Sequence, residues 1–328
     1  MISLVIPVFN SKALVSEMIE CVLSQTMKNW ELILVDDGSN EDVIQMMMNY
    51  SHLNNKIRVI KRDRLPKGAP TCRNIGLENA NGEFIMFFDS DDLISSTCLE
   101  NRIKFMNSNL KIDFGVFRAR SFHSVSDLEN QEFCKADYSY ELISEPRDSF
   151  LNFLKGLYPF VVYTNIYRRL SLIENKIQWD ENLNVLQDID FNFTTLSKGL
   201  LCEFDKITDY DYFIRASHNE NSISSNLAED KKYNSAKYLI DKVVKTIYNT
   251  FPNHKEYRIE FWGFVIFYFN RILLDKSKTK DYVNFCSQYF SAFRIFRLKT
   301  VVFFSYIFYD FRYFRRISRI LQNIFYVS

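Results

Sequence analysis

The stretch FIMFFDSDD, residues 84–92, places five apolar residues directly before three carboxylates. An apolar run of this length is typical of a strand that is buried on both faces of a parallel sheet. The carboxylates would then lie at the carboxyl end of that strand, where open α/β sheets bind their ligands. Oxygen ligands of this kind suit Mg²⁺ or Mn²⁺. The alternative is an acidic turn in solvent, with Asp92 or Ser95 capping the next helix.

Strand-like and helix-like patterns alternate at short intervals before this stretch. The predicted strands are residues 2–8, 31–35 and 57–60, and the predicted helices end near Gln25, Tyr50 and Ala80. This alternation predicts an α/β fold with a mostly parallel, Rossmann-like sheet flanked by helices. The glycine patterns of dinucleotide-binding proteins and of P-loop proteins do not occur, which argues against both of those phosphate-binding modes.

The pattern changes after residue 92. Further strands are predicted at residues 113–119, 160–167, 201–204 and 207–214, and further helices at residues 99–106, 150–157 and 187–198. The polar residues 122–146 are predicted to form a loop. From about Glu229 the pattern is helical throughout, so we expect a helical region to follow the α/β domain.

The length of 328 residues suits one large α/β domain with an appended region. A net charge of +1 provides no general attraction to nucleic acid. The six cysteines are scattered without the spacing of a zinc or redox site, which favours free thiols in a reducing compartment. The chain has no stretch of the roughly 18–20 apolar residues that span a membrane, and its N terminus does not resemble a signal peptide. A cytoplasmic location is therefore expected.

The last 35 residues, 294–328, carry seven Lys or Arg residues against the single acidic residue Asp310, and aromatic residues lie between them. Basic and aromatic residues interleaved on a helix suit the surface of an anionic membrane. The prediction is peripheral contact with a membrane. The alternative is a helical subdomain that packs its aromatic residues on a core.

Four segments, taken together, resemble glycosyltransferase family 2. They are SLVIPVFN at residues 3–10, LVDDGS at residues 34–39, the segment Gly68–Gly76 with RNIG at its end, and FDSDD at residues 88–92. The resemblance implies a GT-A fold and inverting transfer from a nucleotide sugar. It is strong over residues 1–110, thinner to about residue 225 and absent beyond.

The resemblance also implies a domain organisation. Residues 1–225 would form the glycosyltransferase domain, with a nucleotide-sugar-binding half at residues 1–110 and an acceptor-side half at residues 111–225. Residues 226–328 would form the helical aromatic and basic region.

The resemblance implies a donor site at the ends of the first strands. Pro7, Phe9 and Asn10 would form the floor near the base, and Asp37 would accept a hydrogen bond from a uracil-type base. Arg73 would offer its guanidinium group to nucleotide or phosphate oxygens. The alternative for Phe9 is core packing, and the alternative for Arg73 is a surface ion pair.

The segment Asp89-Ser90-Asp91 matches the D-x-D element of the family. Asp91 would coordinate Mn²⁺ or Mg²⁺ directly, while Asp89 and Ser90 would lie at the nucleotide sugar, with Asp89 near the ribose or metal-bound water. The cation would neutralise the charge that develops on the departing nucleoside diphosphate. Asp92 would support the metal ligands or cap a helix.

An inverting transfer needs a base that takes the proton from the acceptor hydroxyl group. The family supplies it from a Glu-Asp pair that opens a helix, and the matching residues here are Gln187 and Asp188. Asp188 is therefore the predicted base, Asp190 is the alternate, and Gln187 is a departure from the family. The other interpretation of Asp188 is a charge that stabilises the first turn of a helix.

Two later segments also resemble the family. Tyr212 to His218 resembles a segment that folds over the diphosphate, so Arg215 and His218 are candidate phosphate contacts, with a solvated loop as the alternative. Residues 165–169 resemble a structural strand before the acceptor-side helix.

The predicted function is metal-dependent inverting transfer from a nucleotide sugar, with UDP as the expected nucleotide. The acceptor would be a glycan or a lipid-linked glycan of surface polysaccharide assembly, at the cytoplasmic face of the plasma membrane. One alternative is a catalytically weak subunit of a membrane-bound assembly complex, which Gln187 supports. A nucleotidyltransferase would need a glycine-rich basic loop after the first strand, and Val8–Lys12 does not provide one.

Overall fold

The computed structural model describes residues 1–124, 149–154, 161–205, 209–216, 230–253, 255–258, 261, 265 and 276–307. The chain divides into two compact units. One consists of Met1–Phe153 with Leu157–Ser222, and the other consists of Leu154–Gly156 with Ile223–Ser328. The roles assigned above to residues 1–110, 111–225 and 226–328 stay predictions.

A seven-stranded sheet forms the centre of the first unit. Its strands are β1 (Ile2–Val8), β2 (Trp30–Asp36), β3 (Ile57–Lys61), β4 (Phe84–Phe87), β6 (Phe114–Val116), β8 (Asn165–Arg168) and β9 (Cys202–Phe204). The spatial order is β3-β2-β1-β4-β8-β6-β9. The first four strands in this order are parallel, and only β8 runs against its neighbours. The α/β fold class with a mostly parallel sheet is confirmed.

Helices connect and flank these strands. In the first unit they are α1 (Lys12–Leu23), α2 (Glu41–Leu53), α3 (Ala69–Asn79), α4 (Cys98–Ser108), α6 (Arg169–Glu174) and α7 (Gln187–Ser197), with the short α5 (Ser149–Leu154) where the two units meet in sequence. Helix α3 lies close against β1 at Gly76. A Cβ atom on Gly76 would lie 2.2 Å from Cγ1 of Val5, so only glycine permits this approach.

A second sheet of three short strands lies next to the acidic turn after β4. It contains β5 (Leu93–Ile94), β7 (Ala119–Phe122) and β10 (Tyr212–Arg215), in the order β5-β10-β7. Strand β10 is antiparallel to β5 and parallel to β7. Strand β5 was not predicted, because two residues are too few to show a period.

Two of the predicted strands are wrong in part. Residues 113–119 form two strands, because the chain leaves the central sheet after Val116 and joins the second sheet at Ala119. Residues 162–164 form a 3₁₀ turn before β8, because Thr164 pairs locally with the carbonyl of Val161. Parts of the predicted loop 122–146 and of the strand 207–214 lie outside the described residues.

A buried ion pair joins α4 to the start of β10. Arg102 is fully buried, and its Nε and Nη2 atoms donate to the two carboxylate oxygens of Asp211, each at 2.8 Å. The Nη1 atom of Arg102 donates to the carbonyl oxygen of Tyr163 at 3.0 Å. These contacts fix the second sheet against the first unit's core.

The described part of the second unit is helical, with α8 (Asp230–Thr250), α9 (Lys276–Cys286) and α10 (Ala292–Ile307). Helix α10 buries Ile295 and Leu298, whereas Phe293 and Phe296 are 67% and 66% exposed. Helix α10 thus has exposed aromatic rings, as expected for contact with a membrane. It also has buried apolar residues, as expected for a helical subdomain with its own core. Of the helices described, none is both long and apolar enough to cross a membrane.

We predict that Asp211→Ala lowers the free energy of unfolding by about 3–5 kcal/mol, because it leaves the guanidinium group of Arg102 buried without a counter-ion. Urea denaturation measures the change. Lys104→Ala removes an exposed ion pair with Glu100 from the same helix and should change stability little. The double variant Arg102→Leu/Asp211→Leu should be more stable than Asp211→Ala. Equal stability of the two variants would contradict this account.

Candidate active site

The acidic turn after β4 holds three carboxylates in three environments. The Asp89 side chain is 36% exposed, Asp91 is exposed, and Asp92 is buried. Ser90 between them is half-buried. The turn lies beside the loops that follow β1 and β2, because these parallel strands end at one edge of the sheet.

Asp92 holds the turn in place from within the core. Its Oδ2 atom accepts a hydrogen bond from the Tyr212 hydroxyl group at 2.8 Å, and its Oδ1 atom accepts from the backbone N–H of Arg215 at 2.8 Å. The same Tyr212 hydroxyl oxygen accepts from the backbone N–H of Asp89 at 3.2 Å. Asp92 is therefore not a helix cap, and α4 begins after Thr97. Burial raises the pKa of Asp92, and the charges of Asp91 and Asp89 add to the rise.

Arg215 contacts the backbone of this turn. Its Nε atom donates to the carbonyl oxygen of Asp91 at 2.8 Å, and its Nη2 atom donates to Oε2 of Glu17 at 2.5 Å. The guanidinium carbon lies 4.8 Å from the ring centroid of Phe122. The predicted phosphate contact of Arg215 thus has protein partners here, and that role stays a prediction. His218 lies outside the described residues.

Asp91 is the carboxylate of the turn that faces solvent. Among the residues that the structure describes, no Lys or Arg pairs with it. Surrounding protein atoms raise the pKa of Asp91 even though it is exposed, and the charge of Asp89 adds to this rise. Asp91 is therefore the carboxylate of the turn that is most accessible to a cation from solvent.

Asp91 and Asp89 fit one kind of metal site. Mg²⁺ is commonly held by one or two carboxylates together with substrate phosphates and water. Within the described ranges, no three His, Cys, Asp or Glu residues come together as an all-protein metal site. The donor set therefore suits a cation that arrives with, or is completed by, a diphosphate.

Arg73 joins the acidic turn to a segment about a hundred residues later. From α3, its Nη2 atom donates to Oδ1 of Asp89 at 2.5 Å, and its Nη1 atom donates to Oε1 of Gln187 at 3.2 Å. The Arg73 side chain is 11% exposed. The ion pair between Arg73 and Asp89 is therefore partly buried and links three elements, and the contact of Arg73 with nucleotide or phosphate oxygens stays a prediction.

Trp179 supports the guanidinium group of Arg73, and sequence reasoning missed it. Cζ of Arg73 lies 4.3 Å from the centroid of the Trp179 ring, which also stacks on Phe191 at 4.4 Å. Asn74 holds the Trp179 backbone at both ends, donating to its carbonyl oxygen at 2.9 Å and accepting from its N–H at 2.8 Å. Trp179 lies outside any regular element, so no periodic pattern marks it.

Asp188 lies in the first turn of α7, next to Gln187, which accepts the hydrogen bond from Arg73. Burial raises the pKa of Asp188, the positive charge of Arg73 opposes this rise, and the negative charge of Asp89 adds to it. Asp188 is half-buried, whereas Asp190 is fully buried. Of the two carboxylates, Asp188 is therefore the one within reach of a substrate. A raised pKa also makes a carboxylate a stronger base.

The other end of the site lies at the loops after β1 and β2. Asp37 is 6% exposed, and its Oδ1 atom accepts from Nε of Arg62 at 2.6 Å and from the N–H of Gly68 at 3.2 Å. Phe9 is 49% exposed, so it does not belong to the core. The Nζ atom of Lys67 lies 3.5 Å from the centroid of the Phe9 ring. Neither Arg62 nor Lys67 was predicted from the sequence as a site residue, because neither belongs to a motif.

Asn10 connects the two loops. Its Oδ1 atom accepts from the N–H of Asn40 at 3.0 Å, and its own N–H donates to Oγ of Ser39 at 2.9 Å. The backbone of Asn10 has a φ of 58°, in the left-handed region that asparagine tolerates. Pro7 lies half-buried at the end of β1, opposite Val35. The structure thus brings these predicted residues to one edge of the sheet.

Comparison with known proteins gives a family match over the first part of the chain. Residues 3–175 match the family model of glycosyl transferase family 2. An uncharacterized glycosyltransferase of Haemophilus influenzae is 37% identical over 109 residues, which is 33% of this chain and 43% of that protein. The cholesterol galactosyltransferase of Borreliella burgdorferi is 28% identical over 281 residues, 81% of this chain and 74% of that enzyme. The chain thus spans less than half of the first of these relatives.

Among solved structures, Staphylococcus aureus TarS residues 1–349 in complex with UDP-GlcNAc superposes with a TM-score of 0.66. The two chains are 19% identical, and the match covers 88% of this chain and 80% of that chain. At this identity the likeness shows the fold, which is of the GT-A type. The family model covers more than half of the chain, and the chain therefore belongs to glycosyltransferase family 2.

Proposed function

We propose that this protein transfers a sugar, with inversion, from a UDP-sugar to a hydroxyl group of a glycan or lipid-linked glycan. The observation that carries the proposal is the position of Arg73 between Asp89 of the metal-binding turn and the first turn of α7, which holds Asp188. A metal ligand and a base must lie on either side of the anomeric carbon in a single in-line displacement. One guanidinium group holds the two segments together here.

The donor site lies along the ends of three adjacent parallel strands. The nucleotide base would lie on the exposed ring of Phe9 and at Asp37, with Pro7 and Asn10 forming the floor. A UDP-GlcNAc complex of a protein with the same fold supports a UDP-sugar as the donor. Asp89 and Ser90 would contact the nucleotide sugar.

Asp91, with Asp89 beside it, would hold Mn²⁺ or Mg²⁺. When bound, the cation supplies the positive charge that stabilises a departing nucleoside diphosphate. Arg215 and His218 remain candidate contacts of the diphosphate. Arg215 would then exchange its contact with Glu17 for the phosphate oxygens, since one guanidinium edge cannot serve both.

Asp188 would act as the base. Its carboxylate takes the proton of the acceptor hydroxyl group while that oxygen forms a bond to the anomeric carbon and the bond to the diphosphate oxygen breaks. The base must be ionised to do this. The charge of Arg73 lowers the Asp188 pKa against the effect of burial and therefore favours the ionised form of the base.

The proposed membrane contact rests on residues of the second unit. The exposed rings of Phe293 and Phe296 lie on the same helix as Lys299, which is also exposed. Exposed aromatic and basic residues support peripheral contact with the cytoplasmic face of the plasma membrane. The relative named cholesterol galactosyltransferase supports a lipid-borne acceptor. We therefore propose a role in surface polysaccharide or glycolipid assembly.

The second candidate is a catalytically weak subunit of a membrane-bound assembly complex. Gln187 favours it, because the family has a glutamate at this position. The amide oxygen of Gln187 still accepts the hydrogen bond of Arg73 at 3.2 Å, so the substitution does not leave Arg73 without that partner. Binding of UDP and metal without turnover, in the presence of membranes and acceptor, would favour this candidate.

We predict that the purified protein with Mn²⁺ releases UDP from at least one donor in a panel of UDP-sugars, and that Asp91→Asn lowers kcat by about 100-fold or more. A UDP-release assay measures both. The control is Asp42→Asn, an exposed aspartate on α2, which should keep full activity. No turnover of any nucleotide sugar would contradict the proposed transfer, and full activity of Asp91→Asn would contradict the metal assignment.

A second prediction concerns pH. The activity of a carboxylate base is lost as pH falls through its pKa, so the acid limb of kcat/KM should lie above the ordinary aspartate value of about 3.9. Arg73→Gln removes the charge that lowers the Asp188 pKa and should move this limb to higher pH. Lys104→Gln, an exposed change on α4, should leave it in place. An unmoved limb in Arg73→Gln would argue against Asp188 as the base.

A third prediction concerns the Tyr212 hydroxyl group. Tyr212→Phe removes the group that lies between the Asp89 backbone and the Asp92 carboxylate, so the turn loses its fixed shape. We expect the concentration of Mn²⁺ for half-maximal activity to rise by about 10- to 100-fold, with the circular dichroism spectrum unchanged. Tyr50→Phe, which removes a hydroxyl group that contacts Ser16 and Glu20, is the control. Equal Mn²⁺ requirements in both variants would overturn the positioning role.

A further inference from the structure

Arg62 occupies one oxygen of the carboxylate that the proposed function places at the nucleotide base. Its Nε atom donates to Oδ1 of Asp37 at 2.6 Å. Asp37 is 6% exposed, and the side chain of Arg62 is 16% exposed. Both partners of this ion pair are therefore mostly buried, and Arg62 is in a position to influence what Asp37 binds.

Further contacts fix the two partners of this pair. The Nη1 atom of Arg62 donates to the carbonyl oxygen of Arg64 at 2.5 Å, and the backbone N–H of Arg62 donates to the carbonyl oxygen of Asp36 at 2.9 Å. The backbone N–H of Asp37 donates to the carbonyl oxygen of Val8 at 2.8 Å. Arg62 and Asp37 therefore start from fixed backbone positions just after β3 and β2, and their contact has a defined geometry.

The same oxygen of Asp37 accepts a second hydrogen bond, from the backbone N–H of Gly68 at 3.2 Å. Gly68 has a φ of 141°, which residues other than glycine rarely adopt, so the direction of this N–H depends on the glycine. A carboxylate oxygen offers about two lone-pair sites, and both sites of Oδ1 are taken. The other oxygen, Oδ2, accepts no hydrogen bond from a nitrogen or oxygen donor of the described residues.

The thiol group of Cys72 lies close to this carboxylate. Burial and the charge of Asp37 raise the pKa of Cys72 to about 12, so the thiol stays protonated. A thiol is a weak donor, and Oδ2 offers about two lone-pair sites, so this neighbour does not fill Oδ2. One oxygen of Asp37 therefore remains available to a strong donor of a ligand.

The nucleotide bases differ in the donors that they present to a carboxylate. Uracil has one ring N–H between two carbonyl oxygens, and a single carboxylate oxygen accepts it. Guanine has a ring N–H beside an amino group, and these two donors fit the two oxygens of one carboxylate. With Oδ1 of Asp37 occupied, the amino group of guanine would lose its acceptor. A donor that is buried without an acceptor is costly, so this arrangement favours uracil.

We propose that Arg62 makes the site selective for uracil over guanine, because it leaves Asp37 with one acceptor oxygen instead of two. Arg62 is a positioning residue, since it acts on the base through Asp37. This inference rests on the proposed function, in which Asp37 contacts the base, and it adds the residue that selects a uridine nucleotide. It concerns the base and not the metal or the transfer step, so binding measurements alone can test it.

The test is the ratio of the dissociation constants of GDP and UDP, measured by isothermal titration of the full chain with Mn²⁺ present. The two ligands share the ribose and the diphosphate, so the ratio reports on the base. We expect GDP to bind about 10-fold more weakly than UDP to the unchanged protein, and Arg62→Met to remove this preference. The matched control is Arg58→Met, which removes an arginine of β3 that pairs with Glu31 and should leave the ratio unchanged.

A double variant shows whether Arg62 acts through Asp37. In an Asp37→Ala background, Arg62→Met should not lower the ratio further, because the carboxylate that Arg62 positions is absent. Arg62→Lys keeps the charge and can supply one donor to Oδ1, so its ratio should lie between those of Arg62→Met and the unchanged protein. This variant carries the test if Arg62→Met does not fold.

Equal binding of UDP and GDP by the unchanged protein would overturn the proposal. An Arg62→Met protein that binds both nucleotides more weakly by the same factor would also overturn it, since a purely structural role has that effect. UDP release from the panel of UDP-sugars is a separate measurement. Release with a ratio that Arg62→Met leaves unchanged would overturn this inference and leave the proposed transfer intact. A ratio that falls in Arg62→Met without any release would support this inference and contradict the transfer.

Discussion

The candidate active site depends on one partly buried ion pair, between Arg73 and Asp89. Asp89 would otherwise lie beside Asp91 and Asp92 with only Arg215 near the turn to offset the repulsion among three carboxylates. Arg73 offsets part of that repulsion and, through Gln187, holds the first turn of α7 at the same place. Trp179 packs against the guanidinium group of Arg73. Asn74, the residue after Arg73, holds the backbone of Trp179. A single turn of α3 thus holds the acidic turn and the predicted base in place relative to each other.

The three carboxylates of the turn have different partners, and this separates their roles. Asp92 is buried and holds the turn through the Tyr212 hydroxyl group. Asp89 is paired with Arg73, and Asp91 faces solvent with oxygens available for a cation. The Tyr212 contacts and the Arg215 contact to the Asp91 carbonyl oxygen hold the acidic turn in place. The second sheet, which supplies both contacts through β10, is therefore as important to the site as the central sheet that carries it.

In the second unit, the aromatic residues have more than one structural role. They divide between a helical core and an exposed face of α10. Aromatic rings can serve both purposes, because a ring buries a large apolar area and also packs on cations. An aromatic-rich composition therefore indicates that the region forms a core or a contact surface. The position of each ring in the structure decides which of these it forms.

The alternation of strands and helices, the buried runs and the acidic turn at residues 89–92 were predictable from the sequence, because each depends on neighbouring residues and a regular period. The family motifs likewise indicated which strand ends form the site. The partners of Arg73 and Arg215, the support of Trp179 and the strand β5 were not predictable, because each depends on segments far apart in the chain that meet only in the folded sheet. Asn74 and Trp179 lie 105 residues apart and share two hydrogen bonds. Sequence by itself determined which chemical groups this protein carries to the sheet edge, and only the tertiary structure decided which of them touch.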